Sequence, residues 1–194
     1  MISNIETLAK KEYSALTEIE LIEKSKQDKR FFEPLYEKYF EQVFRTVFNR
    51  VQDFELAAEI TSESFGKALV NIEKFKYKGY PFSAWLTRVA INCCYDYFRA
   101  QKKSRTVSLE KYATHDLAFE VELEESDKEL WLALLPEALD KLKPRELELI
   151  ELRFFEGKSF AEIAYILDIT EGNAKTRTYR VLKRMKRHFK RTVR

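Results

Sequence analysis

The chain has 194 residues, with 35 Lys and Arg against 32 Asp and Glu, a formal net charge of +3 and 45% hydrophobic residues. That apolar content can build a core, which excludes disorder throughout, and four glycines and four prolines are too few for a turn-rich β protein. The near-balance of charge hides its placement: Lys175 to Arg194 holds ten Lys and Arg and no acid, whereas Glu110 to Glu129 leans acidic. Such opposed blocks suit a chain that grips a polyanion at one end and carries an acidic segment that avoids or mimics it.

Cys93 and Cys94 are adjacent and point to different faces of a helix, so a structural disulfide is not expected. His115 and His188 are isolated, and neither a metal site nor a cofactor is expected. Free thiols fit a reducing cytoplasm. The stretch MISNIETLAKKEYSALTEIE lacks a signal-length apolar core, and no other run could span a bilayer. The expectation is a cytoplasmic protein without membrane insertion.

In chain order, Thr17-Glu18-Ile19-Glu20 reads as a capping box at the start of a short helix. Asp28 is placed to cap the next, whose Phe32, Leu35, Tyr36, Tyr39, Phe40, Val43, Phe44, Val47 and Val51 form a wide helical stripe. Asp53 caps a third, FELAAEITSESFGKALV. A loop rich in Lys and aromatics follows, broken by Gly79 and Pro81, before the helix AWLTRVAINCCYDYFRAQKK, in which Trp85 reads as core. Periodicity fades from Lys102 to Glu129; this is read as a linker that could reach about 90 Å if extended. Beyond it, Pro144 suits the first position of a helix that stops at Gly157, Ser159 caps FAEIAYILD, and Thr170 caps EGNAKTRTYRVLKRMKRHF.

The last two segments have the spacing of a helix-turn-helix. Ala164 is the small residue where the helices cross, Ile163, Ile166 and Leu167 fill the shared core, Ile169 plugs the turn, and Ala174, Val181 and Met185 face inward. The outward face is then Lys175, Thr176, Arg177, Tyr179, Arg180 and Lys183, a set able to donate to base edges and phosphates in a DNA major groove. The basic tail beyond Met185 would add sequence-independent phosphate attraction.

PRELELIELRFFEGKSFAEIAYILDITEGNAKTRTYRVLKRMK resembles the fourth region of an extracytoplasmic-function, or group IV, sigma factor of bacterial RNA polymerase. FEPLYEKYF, DFELAAEITSESFGKAL and FSAWLTRVAINCCYDYFR resemble the second region. The pattern departs at Asn173-Ala174, where the family has a Thr-Val or Ser-Val pair, and within the clamp-binding helix, which here reads Ala57-Ala58-Glu59-Ile60-Thr61-Ser62-Glu63.

The resemblance implies an all-α fold of two small helical domains joined by a flexible linker, the C-terminal one a helix-turn-helix, winged-helix-like without a wing. Its parts would be an N-terminal extension (1–17), region 2 (18–101), an acidic linker (102–129) and region 4 (130–194). It implies a non-enzymatic subunit that directs core polymerase to promoters and assists melting. The partners would be the clamp helices and flap of the large polymerase subunits, promoter DNA, and an anti-sigma factor.

By the same resemblance Asp53, Glu59 and Glu63 face the clamp, and the linker lies in the RNA exit channel. Phe75, Lys76, Tyr77, Lys78 and Tyr80 form the loop that captures a flipped minus-ten base, aromatics supplying faces and lysines phosphate contacts. Asn92 and Asp96, four apart on one helix face, lie along the minus-ten duplex edge, with Arg88 on phosphate. The outward face of the last helix reads the minus-thirty-five element. The competing reading is a stand-alone helix-turn-helix regulator; an enzyme is disfavoured because no nucleophile–base pair, phosphate loop or metal spacing occurs.

Overall fold

The computed structural model describes residues 16–101 and 128–192, and among these it contains helices and turns with no β-strand. Residues 1–15 of the expected N-terminal extension and 102–127 of the expected linker lie outside the described residues, while the last two linker positions, Lys128 and Glu129, begin a helix.

Helix α1 (Glu18–Gln27) begins with the expected capping box. The Thr17 hydroxyl accepts from the Glu20 amide at 3.4 Å, and Glu20 Oε2 accepts from the Thr17 amide at 2.8 Å, which satisfies two otherwise orphan donors. Asp28 accepts from the Arg30 amide at 3.0 Å and opens a 3-10 turn (Lys29–Phe32) leading into α2 (Glu33–Val51). Leu35, Tyr39, Val43 and Val47 recur every four residues along α2 and are all buried. Asp53 caps α3 (Phe54–Asn71) through the Leu56 amide at 2.9 Å, and α4 spans Phe82–Gln101.

These helices close on one apolar core that includes Val43, Ala57, Ile60, Phe65, Ala90 and Cys93. Glu18 ties α1 to α2 through Lys38 and the Tyr39 hydroxyl. Burial, helped by the hydrogen bond to Glu18, pushes the Tyr39 phenol up to about 12.

The C-terminal unit holds α5 (Lys128–Asp140), α6 (Pro144–Ile150), α7 (Phe160–Leu167) and α8 (Glu171–Thr192). Trp131, Leu135 and Leu139 of α5 pack on Val181, Met185 and Phe189 of α8, with the Trp131 and Phe189 rings edge-on at 5.3 Å. The helix expected to run from Pro144 to Gly157 instead widens after Ile150 into a π-helical turn, Glu151–Phe155. There the Glu156 amide bonds the Glu151 carbonyl at 2.9 Å, which carries both carboxylates toward one side. Gly157 ends it at φ 64°, a left-handed conformation suited to glycine.

The two units do not stand apart. Ala84 and Ile91 of α4 are buried in a cluster with Leu149, Leu152, Ile163, Ala164, Ile166 and Ala174 of the C-terminal unit. The sequence left the relative placement of the two domains open. The seam forms because α4 is apolar on more than one side and α7 is short and strongly apolar.

Candidate nucleic-acid interface

The helix-turn-helix is built by local chemistry. Ser159 caps α7 in a second capping box, its hydroxyl accepting from the Glu162 amide at 3.2 Å while Glu162 Oε2 accepts from the Ser159 amide at 2.9 Å. Asp168 adopts the left-handed conformation, φ 57°, that ends α7, and the Ile169 amide returns to the Ala164 carbonyl at 3.0 Å. Thr170 Oγ1 then accepts from the Asn173 amide at 3.3 Å at the start of α8. The residues expected inside are inside: Ala174, Val181 and Met185 are buried, and Thr178 is buried beside them. The Thr178 hydroxyl donates back to the Ala174 carbonyl at 2.9 Å, so its polar group is satisfied without solvent.

What remains outward on α8 is Lys175, Thr176, Arg177, Tyr179, Arg180 and Lys183, all exposed. Tyr179 leans on Phe160 of α7, ring centroids 6.0 Å apart. Arg184, on the flank, donates to both Glu146 oxygens at 2.9 and 2.6 Å and clamps α8 to α6. That hydrogen-bonded pair holds the Glu146 carboxyl below its ordinary range and raises Arg184. Arg184 therefore braces the helix.

The second candidate surface is assembled less evenly. Lys76, Tyr77 and Lys78 are exposed beside Gly79, which turns the chain at φ 80°. Phe75, grouped with them from sequence, is not on that surface. It is 5% exposed, edge-on to Phe82 at 5.2 Å and beside Trp85 at 5.2 Å. An apolar ring next to Ile72 and Phe82 gains more from the core than from solvent, so Phe75 anchors the loop. Trp85 packs on the core as expected.

Tyr80 stacks on Tyr165 of α7 at 4.9 Å. Asn92 and Asp96 lie exposed one turn apart on α4, and Asp96 is within 3.4 Å of Arg99 and 3.7 Å of Lys67. Arg88, one turn before Asn92, donates to the Tyr165 carbonyl at 2.9 Å and lies 3.6 Å from Asp168.

The three acids expected to face a partner differ in their commitments. Glu59 is exposed on α3, Glu63 is paired with Lys67 at 2.7 Å, and Asp53 is held by its cap. These residues are brought together with α4 in one unit, whereas the α8 face belongs to the other. Sequence reading missed Arg50, Glu151 and Glu156, which join the units in a buried ion-pair cluster. The available signal was a charge within an apolar stripe: Arg50 follows Val43 and Val47 on the buried side of α2.

Comparison with known proteins finds matches in both parts of the chain. Residues 35–104 match the Sigma-70 region 2 model and residues 132–185 the Sigma-70 region 4 model. The chain is 34% identical over 175 residues to the ECF RNA polymerase sigma factor BldN of Streptomyces coelicolor, covering 87% of this chain and 64% of that protein. It is 32% identical over 143 residues to the RNA polymerase sigma factor SigV of Bacillus subtilis, covering 74% and 81%. In fold it is similar to CnrH, solved in complex with the cytosolic domain of CnrY, at a TM-score of 0.55 and 21% identity over 85% of this chain and 92% of that one. It is also similar in fold to RpoE of Bartonella quintana, solved with the anti-sigma factor NepR, at 0.57 and 18% over 84% and 98%. With region 2 and region 4 present in order and a helix-turn-helix presenting a polar, cationic face, the chain belongs to the extracytoplasmic-function sigma factors, the promoter-specificity subunits of bacterial RNA polymerase.

Proposed function

We propose that α8 reads the minus-thirty-five element through Lys175, Thr176, Arg177, Tyr179, Arg180 and Lys183. Residues 18–101 carry polymerase binding and minus-ten recognition, residues 130–194 form the minus-thirty-five reader, and 102–129 link them. The observation that carries this is the division of α8 into a fully buried apolar side and an exposed side of hydrogen-bond donors. Arg and Lys there can reach guanine edges, while Thr and Tyr add hydrogen bonds and apolar contacts.

In the minus-ten reader Tyr77 offers the free aromatic face, Lys76 and Lys78 meet phosphates, and Asn92 and Asp96 approach base edges, with Arg88 and Tyr80 beside them. Glu59 and Glu63 present negative charge to the polymerase clamp; Asp53 shapes that surface by starting α3. The protein acts in the cytoplasm, where polymerase and DNA meet, without catalytic chemistry of its own. An anti-sigma factor is the natural inhibitory partner, since CnrH and RpoE were each solved bound to a protein of this kind or its cytosolic domain.

Run-off transcription with core polymerase tests the assignment. Initiation that depends on both chain and core enzyme, with a footprint covering both promoter elements, supports it. Tight sequence-specific binding by the chain alone, with no response from core enzyme, points to a stand-alone regulator.

A further inference from the structure

The ring of Tyr179 does not stand alone on the α8 face. It is 42% exposed, and the Phe160 ring of α7 lies against it, tilted by 48° with centroids 6.0 Å apart. The Arg153 guanidinium in turn sits 4.9 Å from the Phe160 centroid and donates to the Lys158 carbonyl at 3.1 Å. The three side chains form a row that runs from the π-helical turn, through the first residue of α7, to the exposed face of α8.

Each link has a local cause. The widened turn and the left-handed Gly157 fold the chain back, so that the Lys158 amide reaches the Leu152 carbonyl at 2.8 Å and the Lys158 carbonyl meets Arg153. The Ser159 capping box fixes where α7 starts and therefore where Phe160 stands. A guanidinium over an aromatic face is attracted by the ring quadrupole, and neighbouring rings attract through packed area and complementary edges and faces.

The core between α7 and α8 closes without this row. Ile163, Ala164 and Ala174 fill it and are buried, whereas Phe160 lies part-exposed at its rim. Among the described residues no carboxylate pairs with Arg153; its guanidinium is committed to a carbonyl and a ring. What the row does is restrict Tyr179. A solvated tyrosine turns about two side-chain torsions and loses that freedom when it meets a base. A ring already leaning on Phe160 has lost part of it beforehand.

We propose that Phe160 and Arg153 are positioning residues for minus-thirty-five recognition. They hold the Tyr179 ring in the orientation in which it meets a base, and so set the preference at the position that Tyr179 reads. The inference rests on the assignment of α8 given above. Each of the two acts through Tyr179 and not by touching DNA.

The test uses holoenzyme, assembled from the full chain and core polymerase, and promoter duplexes randomised across the minus-thirty-five element; the bound fraction is sequenced. Tyr179→Ala should flatten the preference at one position or at two adjacent ones. Phe160→Leu, which stays apolar but loses the ring, should flatten the same position. Discrimination there should fall about 5-fold, the scale of immobilising one side chain on binding. Arg153→Met should act in the same direction and more weakly. Phe160→Tyr, which keeps the ring, should restore the wild-type profile. Adding Phe160→Leu to Tyr179→Ala should change the profile no further, because both act through one ring. Circular dichroism reports whether the variants keep their helices; if Phe160→Leu does not, Arg153→Met carries the test alone.

A folded variant that binds every sequence more weakly by the same factor overturns the proposal, as does one that keeps the wild-type profile or adds its effect to that of Tyr179→Ala. The reading of α8 fails in a different way. If Lys175→Ala and Arg180→Ala also leave the profile unchanged, α8 is not the reader and the positioning role falls with it. If those two alter the profile while Tyr179→Ala does not, α8 remains the reader and only the positioning role is lost.

Discussion

The α8 face and the surface around α4, proposed to read neighbouring promoter elements, are built in different ways. On α8, a 3.6-residue period places Ala174, Thr178, Val181 and Met185 in the core, and every intervening candidate is left outside. Around α4, neighbours in sequence part company: Tyr77 is exposed, Phe75 two residues earlier is core, and Tyr80 stacks on the other unit. A regular helix converts spacing directly into exposure. A loop next to a core does so only after competing side chains have taken their places.

The sharpest way to break this contrast is Phe75→Ala. Loss of a buried ring beside Phe82 and Trp85 should cost about 3–5 kcal/mol of stability, read by chemical denaturation of the free chain. Normal stability combined with failed promoter opening would return Phe75 to the reading surface. Next come Tyr77→Ala and Arg180→Ala, both on exposed side chains. Each should leave the unfolding midpoint nearly unchanged. Tyr77→Ala should weaken capture of an unpaired minus-ten strand by about 1–3 kcal/mol. Arg180→Ala should lose a similar amount only at particular minus-thirty-five bases, if the contact is bidentate; equal loss on all sequences would count against base reading.

Asp53→Ala probes the N-terminal end of α3, which is proposed to face polymerase. Loss of the cap on the Leu56 amide should destabilise by about 1 kcal/mol, and Asp53→Asn, which keeps an acceptor, should recover most of it. If Asp53→Asn instead weakens core-polymerase binding as much as the Ala variant, the charge itself faces the partner.

The smallest effect is expected at Glu146. Its carboxyl is held below the ordinary value by Arg184, so its contribution is present above the unfolded-state value and is lost as pH falls through the folded one. Glu146→Gln should lower stability at neutral pH by under about 1 kcal/mol and flatten the acid limb of the stability–pH curve. An unchanged acid limb would mean that the pair contributes nothing.

Much of the molecule was legible beforehand because its signals are local. Thr17, Asp53 and Ser159 each precede a helix and each makes the expected cap, since the acceptor and the orphan amide lie within three residues of one another. Pro144 and Gly157 bound the next segment for equally local reasons. The π-helical turn at Glu151–Phe155 was not legible, because its widened register serves contacts made far away in sequence. Arg50 was legible only as an odd charge within the apolar stripe of α2; its partners, two carboxylates from the other unit, were not.

The amino-acid order alone therefore determined the helices, their caps and the outward face of α8, because hydrogen-bond reach and helical period operate over a few residues. Only the tertiary structure decided that Phe75 is core, that Arg88 and Tyr80 meet α7, and that Arg50 joins the two units. The last two outcomes depend on which buried surfaces and charges find one another across more than 70 intervening positions, and that of Phe75 on how a loop folds back onto the helix after it; no helical period encodes either choice.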